Sequence, residues 1–199
     1  MSPNLAFLSA ADSGDIGGLR AALASGAALE FRSRQNLTAL MKAAARGHLL
    51  VVEYLLDHGA DPAALTSHGL TALHFAIQAQ HRDTAACLIR RGAPLQATRS
   101  MSAPLLWASQ RATDQAGCFD IVEMLLNAGA DPNAADQHLG NRPLHHAALR
   151  DDLALARLLL RHGADPAAVN YQQESPRYTA HRHQASLALR RLLGPRETG

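Results

Sequence analysis

Five glycines recur along the chain in nearly constant register. Gly26, Gly59 and Gly92 stand 33 residues apart, and Gly129 and Gly163 continue the series at intervals of 37 and 34. Each is followed by alanine and preceded by an apolar stretch with helical spacing. The surrounding text also recurs: Tyr54-Leu55-Leu56-Asp57-His58-Gly59-Ala60-Asp61-Pro62, Met124-Leu125-Leu126-Asn127-Ala128-Gly129-Ala130-Asp131-Pro132 and Leu158-Leu159-Leu160-Arg161-His162-Gly163-Ala164-Asp165-Pro166. A period of about 20–50 residues repeated this often marks a repeat array.

The second unit shows what one period builds. Thr38 is a hydroxyl N-cap candidate for a short helix through Leu40, Ala43 and Ala44. Gly47 ends that helix, where a left-handed residue turns the chain tightly. A second helix is predicted from about Leu49 to His58, with Val51, Val52, Leu55 and Leu56 at helical spacing. Gly59 stops it, and Asp61-Pro62 cannot continue it. Two short helices and a turn cannot bury their own apolar faces, whereas stacked copies can, so the pattern predicts an all-α solenoid.

Composition agrees. Apolar residues make up 47% of the 199-residue chain, but aromatics only 4%. Small side chains suit close helix–helix approach better than a sheet core of β-branched and aromatic residues. Cys87 and Cys118 fall in helical apolar patterns and read as small buried hydrophobes. Met1–Ala11 lacks the basic start and long apolar run of a secretory signal, and no segment approaches a membrane span, so a cytoplasmic protein is expected. The bias to arginine over lysine, which occurs once at Lys42, matches a GC-rich bacterial genome.

The units resemble the ankyrin repeat, whose motif runs Thr-Pro-Leu-His-x-Ala-Ala, then Gly-His, then Leu-Leu and Gly-Ala-Asp. The corresponding residues are Thr38-Ala39-Leu40-Met41 with Gly47-His48, Thr71-Ala72-Leu73-His74, Ala103-Pro104-Leu105-Leu106 and Arg142-Pro143-Leu144-His145. Ser175-Pro176-Arg177-Tyr178 begins a degenerate last unit, and the first unit, Leu5 to Ala28, has lost the motif. The resemblance implies a single ankyrin-repeat domain over 1–199: a cap at about 4–33, repeats at 34–66, 67–98, 99–135 and 136–169, a cap at 170–194, and a tail at 195–199. Hairpin-like loops join stacked helix-turn-helix units. Gly17-Gly18 inside a helix of the first cap costs about 1 kcal/mol per glycine relative to alanine.

Departures from the repeat suggest where a partner docks. The fourth unit has about five more residues between Leu105 and Gly117 than the second has between Leu40 and Gly47. The segment 110–116 must therefore lengthen the first helix or loop out between the helices. In ankyrin proteins the first helices line a concave face. The row after the Leu-His position reads Lys42, Phe75, Trp107, His146 and Thr179, with Trp107 the only tryptophan. Exposed there, Phe75 and Trp107 would act as aromatic anchors; packed between repeats, they would serve only the core. Gln78, Met101 and Gln110 belong to the same candidate face. So do Arg34, Arg46, Arg99, Arg111 and Arg150, with Arg142 and Arg182 nearby, against only Asp114, Asp136 and Glu174. The convex back carries Glu53, Asp57, Asp83, Asp120 and Glu123. This asymmetry predicts a basic inner face that recruits an acidic protein partner.

The chemistry of catalysis is missing from the pattern. No glycine-rich phosphate loop follows a strand, no Gly-x-Ser-x-Gly elbow occurs, and neither cysteine has an electropositive, exposed setting. The eleven histidines read as structural. His74 and His145 hold a motif position that the resemblance assigns to interrepeat backbone bonding, and His58 and His162 sit at helix C-termini. A formal charge of +2 is too small to argue for nucleic acid. The expectation is a non-enzymatic module without cofactor or metal, monomeric alone, holding a protein partner as an inhibitor, immunity protein or adaptor. Two other classes stay open: a structural subunit of an enzyme or membrane-associated complex, and a metal- or nucleic-acid-binding module.

Overall fold

A computed structural model describes residues 2–96, 103–111 and 116–194, with the side chains of 111 and 116–118 outside the description. Among the described residues every regular element is a helix. They fall into two compact units. The first holds α1 (Pro3–Ser13), α2 (Ile16–Ala24), α3 (Ala39–Arg46), α4 (Leu49–Asp57), α5 (Ala72–Gln78) and α6 (Arg82–Arg90). The second holds α7 (Pro104–Arg111), α8 (Ala116–Asn127), α9 (Pro143–Leu149), α10 (Leu153–Arg161), α11 (Pro176–Arg182) and α12 (Leu187–Leu192).

Helices of 6–12 residues are too short to persist alone, so their stability comes from packing. In the first unit α1, α3 and α5 stack in order, and α2, α4 and α6 stack behind them. Ala39, Leu40, Ala43, Ala44, Leu73, Ala76 and Ile77 bury the seam between first helices, while Val51, Val52, Leu55, Ala85 and Leu88 fill the second layer. The second unit repeats this scheme, with α7, α9 and α11 in front and α8, α10 and α12 behind.

The helix ends obey the expected signals. Thr38 accepts from the Met41 N–H at 3.3 Å to open α3, and Gly47 closes it with φ +71°. Where other repeats lack glycine, Gln80, Asp151 and Gln184 adopt the same left-handed conformation at φ +59°, +55° and +54°. Gly18 has a different reason. Its backbone N–H donates to the Asp15 carboxylate at 2.9 Å, and a Cβ there would lie 2.4 Å from that group. The absent side chain makes room for the cap of α2.

Of the fourth-unit insertion, residues 112–115 lie outside the described residues, and the described part shows where some of the extra length goes. First helix α7 has eight residues, as α3 does, but second helix α8 has twelve against nine in α2, α4, α6 and α10. Gly117, matched by sequence to the terminator Gly47, lies inside α8. Part of the extra length therefore adds nearly a turn to the N-terminal end of the second helix.

Candidate functional site

The loops before α3, α5, α9 and α11 are tight turns, each held by one short polar side chain. Ser33 accepts from the N–H groups of Gln35 and Leu37, both at 3.2 Å, and Thr66 accepts from His68 at 3.3 Å and Leu70 at 3.1 Å. In the second unit Asp136 accepts from His138, Leu139 and Asn141 at 2.8, 2.6 and 2.9 Å, and Asn170 accepts from Gln172 and Glu174 at 3.0 Å. Asp136 was expected to be a surface acid near the inner face. It is buried instead, its charge spent on three backbone donors. Its register with Ser33, Thr66 and Asn170 carried that signal.

These turns aim the first helices. In the first unit the exposed row contains Lys42, Arg46, Phe75 and Gln78. Phe75 is half-buried and Gln78 exposed, as is Arg34 in the preceding turn. Lys42 and Arg46 are not free cations: both face Asp12 of α1, at 3.8 Å and 3.2 Å. The Arg46 hydrogen bond, outweighing partial burial and helped by Lys42, holds the Asp12 carboxyl below the usual range. Sequence reasoning missed Asp12 because the first unit lacks the motif that would have placed it in register.

In the second unit Trp107 and His146 are half-buried, Gln110 is exposed, and Leu149 keeps 49% of its surface in water. The Gln110 amide lies 3.4 Å from Nε2 of His146. Arg150, a residue of the candidate partner-binding face, donates to the backbone carbonyls of Ser109 and Gln110. Carbonyls at the end of α7 have no intrahelical donor and carry the negative end of the helix dipole, so a guanidinium is favoured there. Arg182 is likewise engaged, in an ion pair with Glu174. Arg99 and Met101 lie outside the described residues, as does the Arg111 side chain. Phe75 and Trp107 belong to different units.

The histidines do structural work. His48 bonds the Asp12 carbonyl through Nε2 at 3.0 Å. In His145, Nδ1 accepts from the Arg142 N–H at 3.2 Å and Nε2–H donates to the Glu174 carbonyl at 2.9 Å, tying one repeat to the next. That arrangement requires the neutral ring. Burial pushes the His145 pKa down, and burial together with the Arg150 charge pushes His146 down to about 4. The unfolded chain therefore takes up protons more readily at these positions. Their stabilisation is complete above about pH 6.5 and is lost as the pH falls towards 4. Chemical denaturation followed at pH 7.5 and 4.5 should show a loss of roughly 2 kcal/mol, part of it abolished by His146→Gln.

Cys87 is buried, and desolvation raises its thiol pKa, which makes it a poor nucleophile. Among the described residues no three His, Cys, Asp or Glu side chains gather to hold a metal. No helix among them is long and apolar enough to cross a membrane.

Stacked helix pairs, turn-closing polar residues and histidine links between repeats define a helical-repeat protein that presents a surface. The chain belongs to the ankyrin-repeat family: family models for ankyrin repeats match residues 7–99 and 105–160. It is 37% identical over 137 residues to a mouse (Mus musculus) B-cell lymphoma 3 protein homolog, covering 65% of this chain and 29% of that protein. It is 34% identical over 120 residues to a putative ankyrin repeat-containing protein of Treponema pallidum, covering 60% of this chain and 39% of the relative. The chain thus spans well under half of these relatives. A chain in the solved structure of the Bd0816 predatory endopeptidase from Bdellovibrio bacteriovorus in complex with immunity protein Bd3460 shares the fold. Its TM-score is 0.80 at 24% identity, covering 94% of this chain and 96% of that one. Ankyrin repeats are protein–protein interaction modules, and ankyrin-repeat proteins are generally non-enzymatic.

Proposed function

We propose that this chain is a non-catalytic module that grips a protein partner on the face of its first helices and acts by occlusion, as an inhibitor or immunity protein, or as an adaptor. The observation that carries this reading is that α7 and α9 leave Trp107 half-buried and Gln110 and Leu149 exposed, with the Gln110 amide 3.4 Å from Nε2 of His146. A large, partly held ring on helices that also carry reachable polar and apolar groups suits a binding surface, because little side-chain freedom is left to lose. The resemblance to a chain from an endopeptidase–immunity protein complex supports the inhibitory form.

In the first unit Phe75, Gln78 and Arg34 are the groups best placed to join such a surface. Lys42 and Arg46 answer a single acid, Asp12, so one positive charge remains in excess there. That excess supports a partner with acidic character.

Affinity capture on the 199-residue chain followed by mass spectrometry tests the reading. Trp107→Ala is expected to weaken the captured complex by about 2 kcal/mol, or some thirtyfold, without altering the circular dichroism spectrum. Unchanged affinity would remove Trp107 from the interface. Detection of a turnover reaction on the isolated chain would overturn the non-catalytic reading.

A further inference from the structure

Asp12 answers only half of the charge that α3 presents on the first-helix face. Lys42 and Arg46 stand one helical turn apart on α3 and share one side of it. Asp12 reaches them from α1, which stacks against α3. Its carboxylate lies 3.8 Å from Lys42 Nζ and accepts a hydrogen bond from Arg46 Nε at 3.2 Å. Arg46 thereby commits one nitrogen. Its two terminal nitrogens carry no hydrogen bond among the described residues, and its side chain is 60% exposed. That pair is the edge of a guanidinium that grips a carboxylate through two parallel N–H bonds.

The neighbouring positions suit a docked chain. Asp12, Ala45 and Gln78 are spaced by one period and form a row across α1, α3 and α5. Its middle member is a half-buried methyl group, so the row stays low beside Arg46, and Gln78 beyond it is exposed. Phe75 holds on α5 the place that Lys42 holds on α3, and it is half-buried. Packed helices lie about 8–10 Å apart. In a polyproline II segment positions i and i+3 share one face about 9 Å apart, which matches the step from α3 to α5. Two cations and one acid leave a single positive charge, which one carboxylate balances. A phosphate dianion would exceed it and meet repulsion from Asp12.

We infer that Lys42 and Arg46 form the carboxylate-reading subsite of the first-helix face, limited to one acid by Asp12, and that its occupant is a polyproline II segment of a partner protein with Asp or Glu three positions from a large apolar side chain. This rests on the reading of the chain as a protein-binding module and specifies part of what the partner presents. The acid takes the free edge of Arg46, and the apolar group lies on the Phe75 ring.

The probe is acetyl-Phe-Pro-Pro-Glu-Pro-Pro-Phe-amide, which offers the spacing in either chain direction. It is titrated at low salt into the isotope-labelled full chain, and NMR shifts report both affinity and place. Saturable shifts should gather on α3 and α5 and at the Arg46 Nε–H signal. Arg46→Gln should weaken binding by about tenfold, and Asp12→Asn should tighten it by about fivefold. Arg90→Gln, which removes the same charge from an exposed position on α6, should leave it unchanged. All three variants should keep the wild-type circular dichroism spectrum. The inference is overturned by absent saturation, by equal binding of the Gln-for-Glu peptide, by tighter binding of inorganic phosphate, by Asp12→Asn without gain, or by Arg90→Gln weakening the peptide as much as Arg46→Gln. Peptide failure alongside a captured partner that still depends on Trp107 would remove this subsite and leave the binding-module reading standing. The expected peptide behaviour with a capture indifferent to Trp107 would support the subsite and move the centre of the interface away from α7.

Discussion

Asp136→Ala is expected to lower the stability of the second unit by about 3 kcal/mol, measured by urea denaturation. Three backbone N–H groups, from His138, Leu139 and Asn141, lose their acceptor at once. Each sits in a turn closed further by the Asp136 N–H bond to the Asn141 carbonyl at 2.8 Å, so they cannot all swing out to water. The carboxylate is buried, which makes the loss larger than at a solvated cap. Asp136→Asn keeps one acceptor oxygen and should cost about 1 kcal/mol. Equal stability of the alanine variant and wild type would show that the turn is held by its neighbours alone.

Gly47→Ala should destabilise the first unit by about 2–3 kcal/mol, through two effects that a companion variant separates. The position has φ +71°, where a Cβ costs on the order of 1 kcal/mol. An added Cβ would also lie 2.5 Å from Nδ1 of His81, whose ring packs over the glycine at the start of α6. Gly59 has φ +88° but open space around its missing Cβ, so Gly59→Ala should show only the backbone part. A Gly47→Ala midpoint no lower than that of Gly59→Ala would mean that His81 yields freely.

These two positions differ in how visible they are in the residues. Gly47 is legible as a helix terminator, because the periodic apolar pattern stops there and a tight reversal must follow. Its contact with His81, 34 residues on, is not legible, since it depends on how closely two repeats approach. Asp136 reads as a surface acid when taken alone. Only alignment with Ser33, Thr66 and Asn170 shows a turn-closing role, and that register is blurred by the insertion in the fourth unit.

The candidate site divides along the same line. The row Lys42, Phe75, Trp107 and His146 follows directly from repeat spacing, because residues one period apart share a helix face. The condition of each side chain does not. Lys42 and Arg46 are claimed by Asp12 of the motif-poor first unit, and Arg150 turns to the carbonyl end of α7. Charge counting along the chain therefore locates these cations without showing which acids and carbonyls they meet.

Sequence by itself determined the helix-pair unit, its period, its terminators and its family, because these rest on local backbone preferences and on apolar spacing within some thirty residues. Tertiary structure decided which polar groups are spent inside the protein and which still face outward. Hydrogen bonds and ion pairs between repeats form only after stacking brings distant side chains within about 3 Å, and no periodic pattern in a single chain records which donor will meet which acceptor.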